Sequence, residues 1–425
     1  MNVEVVTIGD ELLLGFTVDT NAAHLARELA GAGIAVVRRA TVGDDAGAIA
    51  AAVGEALERT GAVITTGGLG PTADDRTKPA IAGLFGRALR LDESVLDDLR
   101  RRWKARGWHG ELPAANRQQA MVPEGATLLP NRHGSAPGIW LADTRGEKER
   151  WVAMLPGVPR EMRGMLADEL LPRLRARSAP SRAGEVPSVI QSRALRTTGI
   201  AESALADRLG DLAQGPPGLP LAYLPGWEGV DLRLTARGLP ADAAGRALDA
   251  GAAALRRALG GYVYGEDGAD LAGVVLDLLR RRSMRIALAE SCTGGMLGAR
   301  LTAIPGASDV VLGGIISYAN EVKGSELGVR AETLATHGAV SEETAREMAS
   351  GARARLHADV GVSITGVAGP GGGTPEKPVG TVCIAVDVRG AVQSVRTVLV
   401  GDRDEIRRRS TQTALNLARR ALADA

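Results

Sequence analysis

Residues 287–299, ALAESCTGGMLGA, carry a serine, Ser291, out of an apolar run and into a Thr-Gly-Gly turn, with a small-residue helix expected to start straight after. A hydroxyl on a tight strand-to-helix turn is placed for nucleophilic attack. Gly294 and Gly295 let the backbone close on a ligand, and the N–H groups of a helix start face developing negative charge. A capped structural turn would use the same residue types. Downstream, ISYANEVK at 316–323 sets Tyr318 and Lys323 five residues apart at one strand end. Either would serve as base to the serine if burial lowered its pKa from about 10 toward neutrality. Taken singly, each also fits an ordinary surface position. A second Gly-rich loop, TGVAGPGGG at 365–373, offers the Thr365 hydroxyl and the backbone of Gly366 and Gly369. Arg403, at the start of the last helix, suits a phosphate. The chemistry is that of a serine amidohydrolase without histidine, acting on a phosphate-bearing substrate. Cys292 is a rival nucleophile, but it sits later on the turn and fits a buried structural thiol better.

A different chemistry is written near the start of the chain. TTGGLGPTADD at 65–75 is a glycine loop followed by paired carboxylates. The backbone of Gly67, Gly68 and Gly70, with Thr72, would cradle a phosphate, and Asp74 or Asp75 would hold a hard divalent ion bridging phosphates. Asp10 and Glu11 could add oxygen ligands. Two further backbone-rich loops contain Asn131 and Gly134, in NRHGSAPG, and Gly157, in LPGVPREM. Helix capping by Asp74 or Asp75 explains the acids equally well.

The elements that must position these groups alternate. Residues 3–8, 34–38 and 62–66 are apolar strands, with helices at 20–31, capped by Thr20 or Asn21, and at 45–60 between them. That rhythm predicts a parallel sheet with helices on both faces and ligands at the carboxyl ends of its strands. A helix at 93–106 and a strand at 151–155 follow. An Arg-, Ser- and Pro-rich stretch at 175–187 marks a boundary. Next comes a small α+β module with a hairpin at 221–236, whose tip, Gly-Trp-Glu-Gly at 226–229, matches the GXXG of RNA-binding KH domains. That loop joins helices in KH domains and strands here, so a plain turn explains its glycines. The last unit alternates again: helix 271–282, strand 284–289, helix 295–303, strand 310–318, helix 341–356, strands 360–365, 379–388 and 392–400, and a terminal helix from Asp404. Three domains result, at 1–175, 187–265 and 270–425.

Bulk properties narrow the function classes. Of 425 residues, 45% are hydrophobic and 24% charged, and the net charge is +1, so no electrostatic pull toward nucleic acid or anionic membrane is expected. The Arg runs at 100–102, 280–282 and 407–409 fit solvated helix faces. No apolar stretch is long enough for a membrane helix, and residues 1–10 suit a strand better than a signal peptide. Two cysteines make no disulfide framework and fit a cytoplasmic, reducing location. Five histidines form no close metal-ligand pair.

Taken together, AESCTGG, ISYANEVK and TGVAGPGGGTPEKPVGTV resemble the C-terminal domain of the CinA family of competence/damage-inducible proteins. That resemblance implies a nicotinamide-nucleotide amidase, converting nicotinamide mononucleotide to nicotinate mononucleotide and ammonia. It puts the family's serine on Ser291, tyrosine on Tyr318, lysine on Lys323, threonine on Thr365 and arginine on Arg403, with no cofactor. GDELLLG, VDTNAAHLA, GGLGPTADDRT, NRHGSAPG and LPGVPREM resemble the family's N-terminal domain. That implies a three-layer α/β molybdopterin-binding fold and a metal-dependent ADP-ribose pyrophosphatase, using Mg²⁺ or a similar ion and releasing AMP and ribose 5-phosphate. Phe16 departs from the polar residue more usual there. The α/β architecture expected is therefore this domain, a KH-like connector and an α/β amidase domain, in a homodimer. Two other functions stay open: pterin binding in molybdenum-cofactor assembly, and a non-enzymatic role in competence or DNA repair.

Overall fold

The computed structural model describes residues 1–145, 149–178 and 188–424. The boundary expected at 175–187 falls mostly on 179–187, outside the described residues. Two compact units emerge, Met1–Gln191 with Ala236–Arg246, and Ser192–Thr235 with Ala247–Ala425.

In the first unit the chain runs β1 (Asn2–Ile8), α1 (Asp10–Leu13), α2 (Thr20–Gly31), β2 (Ala35–Val42), α3 (Ala46–Thr60), β3 (Ala62–Thr66), α4 (Thr77–Leu84), β4 (Leu89–Leu91) and α5 (Glu93–Ala105). It continues through β5 (Met121–Pro123), β6 (Thr127–Leu129), β7 (Gly138–Asp143), β8 (Arg150–Leu155), α6 (Pro159–Met165) and α7 (Leu171–Arg177). The main sheet has the order β2-β1-β3-β8-β7-β6. Its first four strands are parallel, as the alternating pattern predicts, but β7 and β6 pair antiparallel. The reason is length: the links 130–137 and 144–149 are too short for the crossover a parallel pair needs. Residues 3–8 of β1 are all buried, with side chains alternating between the two faces of the sheet. Val3 and Val5 pack with Leu25 and Leu29 of α2 and with Met162 of α6. Val6 and Ile8 pack on the other face with Ile49 and Val53 of α3 and Ile81 of α4. This makes three layers, helix–sheet–helix. The cap of α2 is neither Thr20 nor Asn21 but Asp19, whose side chain accepts from Ala22 N–H. Asn21 is buried instead and donates to Thr66 Oγ1 and Gly157 O.

A four-stranded sheet follows, β10-β11-β9-β12, from β9 (Ser188–Thr197), β10 (Leu221–Pro225), β11 (Val230–Pro240) and β12 (Val263–Glu266). Helices α8 (Glu202–Leu209) and α9 (Ala241–Leu259) intervene in the chain. Gly226 N–H donates to Gly229 O at 2.8 Å, so GWEG is the tip of the β10–β11 hairpin. Next come α10 (Leu271–Arg281), β13 (Ile286–Glu290), α11 (Met296–Thr302), β14 (Val311–Ile316), α12 (Asn320–Leu327), α13 (Ala331–His337) and α14 (Glu342–Arg355). The chain ends with β15 (Val360–Gly366), β16 (Thr381–Val388), β17 (Ala391–Val398) and α15 (Arg403–Asp424). The sheet order is β14-β13-β15-β16-β17, with the first three strands parallel and the last two antiparallel. Helices α10, α11 and α15 cover one face through Val275, Leu301 and Leu415. Helices α12 and α14 cover the other through Leu327 and Met348. No described helix is long and apolar enough to cross a membrane.

Candidate functional site

Strand β13 lies between β14 and β15, and all five of its residues are buried. Its carboxyl end therefore opens between theirs. Ser317 N–H donates to Glu290 O at 2.8 Å, and Ser291 N–H donates to Ile364 O at 2.9 Å. Three loops are thus drawn together by main-chain hydrogen bonds: the Ser291 turn, the Ser317–Tyr318 bend and the Thr365 loop. Gly294 (φ 58°) and Gly295 (φ 95°) turn the chain in the left-handed region, where a side chain would be strained.

Lys323 reaches into this junction from α12, in a segment where a strand-end loop was expected. It is 1% exposed. Its Nζ stands 3.2 Å from Ser291 Oγ, 2.8 Å from Ser317 O and 3.3 Å from Tyr318 O. Burial lowers its pKa, against the opposing influence of Cys292 and Glu321. The charged amine donates to all three oxygens. The neutral amine keeps its two N–H groups for the carbonyls and turns its lone pair to the serine hydroxyl. Burial pushes the Cys292 thiol up to about 11, which disfavours a thiolate at neutral pH.

The other expected groups take different posts. Tyr318 is 63% exposed, and its hydroxyl accepts from Arg403 Nη2 at 3.3 Å. Arg403 also donates to Gly369 O at 2.6 Å, so it bridges the Tyr318 bend and the Gly-rich loop. Thr365 is buried and donates to Ala339 O at 2.7 Å, bracing the segment before α14. A Cβ on Gly366 would stand 2.8 Å from Thr381 O, so close strand packing explains that glycine. The helix N–H groups expected to face the reaction are already engaged. The buried Glu290 carboxylate accepts from Gly295, Leu297 and Gly298 N–H at 2.8–3.1 Å. Among the described residues, Cys292 N–H, beside the serine, has no acceptor.

Two of these residues escaped the sequence reading. Glu290 was hidden as the polar end of an apolar strand. Arg407 was assigned to a solvated Arg run, yet it is half-buried and donates to Cys292 O at 3.1 Å and Thr293 O at 2.8 Å. Its signal was the four-residue spacing from Arg403, which puts both on one helix face.

In the first unit, β1 and β3 end side by side, and the loop after β3 must clear the end of β1. A Cβ on Gly67 (φ 114°) would sit 2.1 Å from Ile8 O, so only glycine fits. Gly68 is pressed equally close to Thr77. The loop bounds a cleft of about 430 Å³ that Glu11, Asp44, Asp74, Gly157 and Glu161 also line. Asp75 has both oxygens engaged within the loop, accepting from Gly70 N–H at 2.7 Å and from Thr72 N–H and Oγ1 at 2.8 and 2.5 Å. Asp74 is exposed. Asp10 and Asp44 accept from each other's N–H. Burial first, then the nearby charges of Asp10, Glu11 and Asp74, raises the Asp44 pKa. No group of three or more His, Cys, Asp or Glu among the described residues is arranged to hold a metal ion.

Asn131 is internal bracing: it donates to Ala136 O and Glu161 Oε2 and accepts from His133 N–H. Gly134 accepts from Arg102 and is crowded by Glu161. Gly157 accepts from Asn21 and also lines a second cleft of about 300 Å³ with Glu11, Val18, Asn21 and Thr66. Lys78 on α4 was not anticipated. It is 2% exposed and donates to Gln118 O and Gln119 O, and burial lowers its pKa to about 8.

Three family models match in series: "Probable molybdopterin binding domain" over 4–176, "Damage-inducible protein CinA KH domain" over 192–265 and "CinA C-terminal domain" over 268–422. A CinA-like protein of Gemmatimonas aurantiaca is 64% identical over 426 residues, 100% of this chain and 97% of its own. The chain belongs to the CinA family. A CinA-like protein of Citrifermentans bemidjiense is 44% identical across 99% of this chain and 98% of its own. The crystal structure of competence/damage inducible protein CihA from Agrobacterium tumefaciens is 43% identical and covers 36% of this chain and 93% of that one, with a TM-score of 0.35. This CinA-family chain therefore joins a molybdopterin-binding-like α/β domain, a KH connector and a CinA C-terminal domain, the order its motifs imply.

Proposed function

We propose that the C-terminal domain is a serine amidohydrolase that converts nicotinamide mononucleotide to nicotinate mononucleotide and ammonia. The observation that carries this is the 3.2 Å contact between Lys323 Nζ and Ser291 Oγ inside a cage of main-chain carbonyls. Neutral Lys323 takes the serine proton as Oγ attacks the carboxamide carbon. Cys292 N–H, next in the chain to the serine, would donate to the developing oxyanion. The lysine returns its proton to the departing ammonia, and water then cleaves the acyl-enzyme with Lys323 as base again. Arg403 favours the nucleotide phosphate, bidentate if it releases Gly369 O. Tyr318, whose hydroxyl meets Arg403, belongs to this binding rim and not to proton transfer. The test is ammonia release from nicotinamide mononucleotide by the intact chain and its loss in Ser291→Ala.

For the N-terminal domain we propose cleavage of ADP-ribose to AMP and ribose 5-phosphate. Glu11, Asp44 and Asp74 make its cleft acidic and would repel a bare pyrophosphate. A divalent ion arriving on the phosphates removes that repulsion and needs only one or two protein carboxylates. Asp74 is the exposed carboxylate on the glycine loop; Asp75 keeps its role as the loop's brace. The bound ion would supply charge neutralisation, and the N–H groups of the loop would orient the phosphates. AMP release measured with and without Mg²⁺ tests this, and pterin binding without AMP release would replace it.

A further inference from the structure

The hairpin tip at 226–229 is engaged within its own unit. Glu228, 22% exposed, pairs with Arg196 of β9 and, at 2.7 Å, with Arg300 of α11. Arg300 Nη1 donates to Gln412 Oε1 of α15 at 2.6 Å, and Gln412 Nε2 donates back to Glu228 O at 2.9 Å. That closes a ring of three residues from three elements. The indole of Trp227 lies 5.0 Å from the Arg300 guanidinium, a cation–π contact. Gly229 (φ 147°) lets the tip close on β9, because a Cβ there would sit 1.9 Å from Thr197 O.

The two helices in this ring are those that carry the Ser291 site. The first turn of α11 is held by Glu290, the residue before the serine. The other helix, α15, supplies Arg403 at the rim and Arg407 on the carbonyls of the nucleophile turn. Gln412 is 3% exposed, and Arg300 is 12% exposed, so the ring lies where solvent screens charge poorly and hydrogen bonds reinforce one another.

We infer that Glu228 is a positioning residue for the Ser291 site: the connector's GXXG-like loop takes α11 and α15 as its ligand and fixes the register between nucleophile turn and phosphate rim. This rests on the amidase proposed above. In the full-length chain, Glu228→Ala is expected to lower kcat for nicotinamide mononucleotide about tenfold and to raise KM about threefold, since small misplacements of a reacting geometry cost rate steeply. A smaller folded fraction would lower kcat alone, so a fall in kcat at constant KM overturns the inference, as do wild-type values of both. Glu228→Gln keeps the shape of the side chain and is expected to move both constants the same way, but less. It replaces the alanine variant if that does not fold. Hydrogen exchange needs no substrate: amides of 292–300 should exchange faster in the variant relative to those of β16, and an unchanged ratio overturns the positioning role. If the wild-type chain releases no ammonia, the amidase reading fails by itself and the exchange experiment still decides the role of Glu228.

Discussion

The Ser291 turn and the glycine loop of the N-terminal unit both follow a buried parallel strand, yet they are built for different kinds of work. At Ser291 the proposed nucleophile and base already touch, in a turn held by the Glu290 carboxylate and the Arg407 guanidinium. At the glycine loop the bracing carboxylate, Asp75, is engaged by the loop's own donors, and it lines an open cleft together with Glu11, Asp44 and Asp74. A covalent mechanism is served by a nucleophile and base within hydrogen-bond reach of each other. A phosphate site can leave part of its charge to be brought by the ligand. On the proposed functions, the contrast teaches that an amide loop can support a nucleophile in one domain and cradle a ligand in the other.

The sharpest way to break this contrast is to remove each centre separately. Ser291→Ala, and likewise Lys323→Met, should cut ammonia release by about a thousandfold or more while AMP release from ADP-ribose stays at the wild-type rate. Loss of both activities in either variant would show that the two centres are not independent. Next in size is Asp74→Asn, expected to lower AMP release roughly a hundredfold with little change in melting temperature. Asp75→Asn should instead lower the stability of the N-terminal domain by about 1–3 kcal/mol, because one carboxylate holds three donors. Equal melting temperatures for the two variants would erase the distinction between free ligand and brace.

The two buried lysines give a finer comparison. For Lys323 the neutral amine is the active form, so kcat/KM should rise with pH through a pKa below the ordinary 10.5. A flat profile across that range would remove the lysine as base. For Lys78 the folded pKa is about 8, against 10.5 when unfolded. Between those values the unfolded chain holds a proton the folded one lacks, so stability should increase as pH rises from 8 toward 10.5. In Lys78→Met that increment should vanish from denaturation curves. The smallest effect belongs to Tyr318→Phe. Among the described residues its exposed hydroxyl meets only Arg403, so KM should change by about twofold and kcat hardly at all.

What was legible in the sequence follows from what burial does to composition. β1, β3, β13 and β15 are covered on both faces and read as short, mostly apolar runs, so they and the loops after them were placed from residue type alone. Ser291, Gly67 and Gly68 came with them. The helix carrying Lys323 did not: Asn320–Leu327 is one short segment with only Lys323 and Leu327 buried, so no apolar stripe marks it. The roles of Thr365, Asn131 and Asp75 as braces were equally hidden. Each side chain's partner is a main-chain group or a loop residue, and such pairings leave no pattern in composition. The cap at Asp19 was displaced by one residue because Thr20 and Asn21 are also good capping residues, and the buried bonds of Asn21 decide against it.

One consequence of the Cys292 environment reaches beyond hydrolysis. Peroxide attacks thiolates, and a thiol whose pKa stands near 11 in a closed position presents almost none at physiological pH. With an alcohol as the proposed nucleophile and the neighbouring sulfur kept as a buried thiol, the proposed amidase is expected to retain its activity in peroxide that inactivates hydrolases built on an activated cysteine.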